Sequence, residues 1–149
     1  MLPQTATVRP SFAVSTALLL ATLSLPTRGG EHEKAVRAVE VLRTTQTWSG
    51  APIAVPQGRA EIIGFAIEIA PGGETGWHSH PVPSFAYVLS GTLEVTLANG
   101  TAKRVRSGEA FAEVIDTSHN GRNVGPDPVK LVVFYTASPG QPVTARAGR

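Results

Sequence analysis

Apolar and polar positions alternate in short runs over most of the chain, and their spacing predicts strands. In EIIGFAIEIA (61–70), Ile63, Phe65, Ile67 and Ile69 fall on one face of an extended chain with Glu68 on the other, and Pro71, Gly72 and Gly73 stop the run. SFAYVLSG (84–91) reads as a further strand. Leu93, Glu94, Val95, Thr96 and Leu97 then alternate cleanly, the pattern of a strand buried on one side. Asn99-Gly100 is the strongest short hairpin signal in the chain and pairs that strand with TAKRVR (101–106). Ser107-Gly108 turns into EAFAEVID (109–116), and KLVVFYTAS (130–138) supplies a last strand. Long helical periodicity is absent after residue 45. About seven or eight short strands at this spacing predict an all-β barrel or sandwich.

The flanks read differently. SFAVSTALLLATLSL (11–25) is an apolar run preceded by Arg9 and followed by the small residues Thr27 and Gly29, the layout of a secretory signal peptide over residues 1–30. The alternative is an uncleaved membrane anchor, although the run falls short of the ~20 residues a span needs. The expected location is therefore exported, periplasmic or secreted, with membrane contact only through an uncleaved leader. Residues 31–43 fit either a short amphipathic helix through Ala35, Val39 and Leu42 or a strand through Val39 to Leu42. The turn-rich segment that follows makes 31–59 an N-terminal extension packing on a barrel of residues 60–137, with 138–149 as a flexible tail.

Composition narrows the picture in three ways. A length of 149 residues suits one domain, and the 15 glycines and 12 prolines fall between runs rich in Val, Ile and Phe, as an all-β chain requires. The formal charge of +2 includes Arg9 and Arg28 of the leader, and without them basic and acidic residues balance. No electrostatic footprint for nucleic acid remains beyond Lys103, Arg104 and Arg106, which read as the solvated face of one strand. With no cysteine there is no disulfide and no lipid attachment at the leader's cleavage site.

The chemistry concentrates in GGETGWHSHPVPSFAYVLSG (72–91), which holds two of the four histidines. On an extended strand His78 and His80 point to the same side, about 7 Å apart, and bind one metal only if a third ligand arrives from elsewhere. His119, in IDTSHNGRN, is the candidate, whereas His32 reads as structural or solvent-facing. Glu113 lies among Phe111, Val114 and Ile115, where an ionised carboxylate needs a partner. Two readings stay open for it: a metal ligand or acid/base group facing the pocket, or a glutamate on the strand's outer face. Asp116 and Glu74 lie in turns and read as solvated, and Trp77 and Tyr87 as core or rim aromatics.

These residues carry a resemblance. Gly72, His78, His80 and Gly91 match the first cupin motif, G-x5-H-x-H-x3-E-x6-G, and Gly108, His119 and Asn123 match the second, G-x5-P-x-G-x2-H-x3-N. The chain thus resembles the cupins over about residues 60–137, which implies a single jelly-roll-like β-barrel preceded by the signal or anchor segment. It departs at the acidic ligand, replaced by Ser84, and at the Pro and Gly of the second motif, replaced by Val114 and Asp116. The resemblance implies a divalent metal (Fe, Mn or Zn) on His78, His80 and His119, a small-molecule substrate or ligand, and a homodimer covering the outer face of Phe85, Tyr87 and Leu89. Three-His cupins suggest dioxygenase-type chemistry on a small organic anion. An isomerase or lyase with Glu113 as base uses the same residues, and so does a non-catalytic barrel that senses or stores its ligand.

Overall fold

The structure, a computed structural model, describes residues 36–146. The leader over 1–30 and His32 lie outside the described residues. Nine strands and no helix form among them: β1 (Glu61–Ile69), β2 (His78–Ser79), β3 (Ser84–Ser90), β4 (Thr92–Leu97), β5 (Ala102–Arg106), β6 (Ala110–Ala112), β7 (His119–Asn123), β8 (Val129–Ala137) and β9 (Ala145–Arg146). They make two antiparallel sheets, ordered β1-β8-β3-β6 and β5-β4-β7-β2-β9.

Alternation sets which side of each sheet is dry. β1 and β8 pair without interruption from Glu61↔Ala137 to Ile69↔Val129, and β8 buries Val129, Leu131, Val133, Tyr135 and Ala137 while its intervening residues face outward. β4 does the same through Leu93, Val95 and Leu97. The core is built from both sheets, with Val88 and Val129 on one and Val95 and Val105 on the other almost wholly removed from water. Each such valine contributes about 1.5 kcal/mol or more relative to an exposed one.

Two turns need their glycines. The hairpin between β4 and β5 closes with Leu97 N–H on Thr101 O and Gly100 at φ 85°, in the left-handed region. Gly91 ends β3 at φ 80°, and a Cβ there would lie 2.9 Å from the backbone of Pro128 and Val129. Asp116 occupies the second motif's glycine position and is itself left-handed, at φ 49°. This accounts for glycine being the motif's residue, because only glycine adopts that conformation without cost.

Three segments differ from or sharpen the sequence reading. Residues 36–44 form neither helix nor strand, and Val39 and Val41 stay exposed. The segment after them folds back, Gln46 bridging Pro52, so that Trp48 packs against the core and its N–H bonds Ala112 O at 3.0 Å. Within the stretch read as a flexible tail, Val143 packs on the core and β9 pairs with β2. The physical reason is that β2 presents an unpaired edge, which β9 satisfies.

Asn123 ties the turns together. Its Nδ2 donates to Ile69 O (2.9 Å) and Asp127 O (2.8 Å), its Oδ1 accepts from Gly125 N–H (2.9 Å), and the residue is 1% exposed. Asn123→Ala leaves three backbone groups without their partner, that of Ile69 buried and the other two partly so, and is expected to cost about 1–3 kcal/mol. A thermal melt should show Tm lowered by on the order of 10 °C, and a shift within error would contradict this role.

Candidate metal centre

β2 and β7 run antiparallel with His78 directly opposite His119, and His80 follows two residues after His78 on the same side. The three rings stand 4.4–5.0 Å apart by centroid, and one ligating nitrogen from each lies within 4.8 Å of the others. His80 and His119 are buried and His78 is half-buried.

What orients the rings is a common backbone device. Nδ1 of His78 bonds Gly76 O at 2.8 Å, that of His80 bonds Val143 O at 2.8 Å, and that of His119 bonds Thr117 O at 2.9 Å. A carbonyl only accepts, so in each ring Nδ1 carries the proton and Nε2 keeps its lone pair. Three neutral imidazoles with fixed tautomers are the donor set a divalent metal takes, and the outer hydrogen bond is the usual support for it.

Burial disfavours charge on His78 and His80. The pKa of His80 is pushed down to about 4, chiefly by burial, with the bond to Val143 O opposing and the neighbouring His119 and His78 adding to the fall. That of His78 is lowered by burial first, against the bond to Gly76 O, with His119 and Arg146 contributing. An unfolded chain takes up these protons near 6.5, whereas the folded one resists until lower pH. These two rings therefore contribute stability to the metal-free protein that is fully present above about pH 6.5 and lost as pH falls toward 4. Melts of chelator-treated protein at pH 7.5 and 4.5 check the sign, and an equal or higher Tm at 4.5 would contradict it.

Glu113 faces inward. It directly follows β6, where its N–H bonds Ser84 O at 2.9 Å, so it is the cross-strand neighbour of the residue that replaces the motif's acid. Its Oε1 accepts from Trp48 Nε1–H (2.7 Å) and from Val114 N–H (2.8 Å), while Oε2 lies 3.8 Å from His119 Nε2. Ser84 is buried with its Oγ unpartnered among the described residues. Together with the histidines and Tyr135, these groups line a cavity of about 60 Å³ whose other walls include Ile67, Val95 and Leu131.

Other sequence candidates lie away from the centre. Glu74 is an exposed acceptor for Asn120 Nδ2, and Asp116 is exposed. Trp77 stands at the cavity mouth, 45% exposed, and Tyr87 on the outer face of β3. Arg104 pairs with Glu94 on the surface. The sequence reading missed three contributors: Trp48, Tyr135 and the segment 143–146. Tyr135 has its ring 5.0 Å from that of His80, and burial raises its pKa against the effect of the Thr144 hydroxyl. Its signal was available, since it shares the inward side of β8 with Leu131 and Val133.

The family model described as the cupin domain matches residues 65–135. The chain carries a cupin domain. Among solved structures this cupin is similar to a recombinant oxalate oxidase in complex with glycolate, at 25% identity and TM-score 0.50, over 57% of this chain and 45% of that one. It is also similar to the Bacillus subtilis oxalate decarboxylase, a protein with Mn(II) centres, at 19% identity and TM-score 0.50 over 57% of this chain and 23% of that one. A DMSP lyase of Ruegeria pomeroyi matches at 15% identity and TM-score 0.50, over 58% and 43% of the two chains. The last two likenesses concern the fold alone. The cupin spans less than half the length of these structures, and no curated protein matches it.

Proposed function

We propose that this cupin is an exported metal-dependent enzyme that uses His78, His80 and His119 to hold one divalent ion and acts on a small organic anion, with oxygen-dependent chemistry favoured. The observation that carries the reading is the shared Nδ1–H to carbonyl bonding, which leaves three Nε2 lone pairs directed into one buried space. An ion bound there would supply Lewis acidity and open positions for small ligands. The chain's own residues would do the rest: burial favours the neutral form of His78 and His80, apolar walls limit water, and Glu113 holds or moves a proton at Oε2. Fe, Mn and Zn all accept such a donor set. The similarity to an oxalate oxidase supports the oxidative branch.

A second reading is favoured by Glu113 itself. With Oε1 held by two N–H groups, Oε2 is free to abstract a proton, as an isomerase or lyase requires. Metal content of protein purified without added metal, followed by oxygen uptake and product formation on a panel of small carboxylates, tests both. Turnover with oxygen uptake supports oxidation, turnover without it the lyase or isomerase reading, and a metal-free protein that stays inert after reloading overturns the proposal.

Export rests on the apolar run over 11–25, and N-terminal sequencing of exported protein would find a new terminus near residues 27–30. We also propose a homodimer across the outer face of β3 and β8, where Leu89 and Phe134 are about half exposed and Phe85 lies beside Phe134.

A further inference from the structure

Next to the cavity, and sharing His78, His80 and Tyr135 with it, lies a cleft of about 300 Å³ walled also by Phe65, Trp77, Thr144 and Arg146. Phe65 and Trp77 are 47% and 45% exposed there, and the Phe65 ring stands edge-on to Tyr135 at 5.8 Å. Arg146 arrives on β9 directly opposite His78, so the two side chains share a face. No carboxylate among the described residues pairs with Arg146. Among the described residues, then, an unpaired guanidinium stands at the same cleft as two exposed aromatic rings.

We propose that this cleft binds a monocarboxylate with a flat apolar body, its carboxylate on Arg146 and its body against Phe65 and Trp77. The inference rests on the proposed metal centre only in assigning what lies beneath the ligand. A guanidinium offers two parallel N–H donors matched to a carboxylate, and exposed aromatic faces gain more from covering a ring than from covering a second charge. A compact dicarboxylate would leave those rings wet. Arg146 is therefore a specificity residue, supplied by the segment that also holds His80 through Val143 O.

Benzoate, benzamide and oxalate serve as probes, titrated into protein as purified and after chelation, with quenching of Trp77 fluorescence as readout and Trp77→Phe as its control. Benzoate is expected to bind at least tenfold tighter than the neutral benzamide and tighter than oxalate. Arg146→Gln should erase the preference over benzamide, and Arg146→Lys should restore part of it, with metal content equal to wild type in both. An unchanged benzoate affinity in Arg146→Gln overturns the inference, as does oxalate binding more tightly than benzoate. A preference that vanishes on chelation yet survives in Arg146→Gln assigns anion recognition to the metal and also overturns it. Arg146-dependent preference in a protein that never binds metal supports the cleft while the metal centre fails.

Discussion

His119→Ala is expected to reduce metal content from about one ion per chain to less than a tenth of that. His119 is the sole contribution of β7 to the cluster, and without it only His78 and His80 remain, on one strand and unable to enclose an ion. Loss of even an outer hydrogen bond around a metal ligand costs about 10–100-fold in affinity, so loss of the ligand should exceed the upper figure. The substitution also opens a cavity at a residue that is 2% exposed. His119→Gln preserves most of the volume and separates the two effects: both variants should lose the metal, while the glutamine form keeps a metal-free Tm nearer to wild type. Elemental analysis showing wild-type metal in both would remove His119 from the centre.

Glu113→Gln is expected to keep the metal and lose turnover by about 10²–10⁴-fold, the range a positioned acid/base group contributes. Gln fits because Oε1 can still accept from Trp48 Nε1–H and Val114 N–H. The new NH₂ then takes the place of Oε2 beside His119 and accepts no proton. Metal lost together with activity would instead make Glu113 a fourth ligand, standing in from the adjacent strand for the carboxylate absent at Ser84. Wild-type values for both would exclude it from the site. Trp48→Phe removes one of the two donors on Oε1 and should give a smaller loss of turnover with metal intact.

Local patterns made much of this architecture legible. The alternation of β1 and β4 indicated their inward sides, and the spacing of His78, His80 and His119 across two glycine-framed motifs anticipated the cluster. Histidines about forty residues apart in the chain, His80 and His119, can meet only if the strands between them pair in one register, and hairpin signals such as Asn99-Gly100 supply that register. Trp48 and Arg146 were not legible, because nothing local to either residue says which strand it will reach. Trp48 finds Glu113 at a separation of 65 residues and Arg146 finds β2 from beyond β8. Glu113 was legible only as a choice between two sides, since β6 is too short for alternation to decide.

The carbonyl that fixes the His80 ring belongs to a residue 63 positions downstream. During synthesis, therefore, two of the three imidazoles can be oriented by neighbours two residues away, whereas the third waits until Val143 has left the ribosome and its segment has docked. Contacts of such long separation close late because their loop entropy is lost before they return any stabilisation. A chain translocated before that point would finish its centre outside the cytosol, and the ion it captures would be selected by the metal supply of the compartment where folding ends.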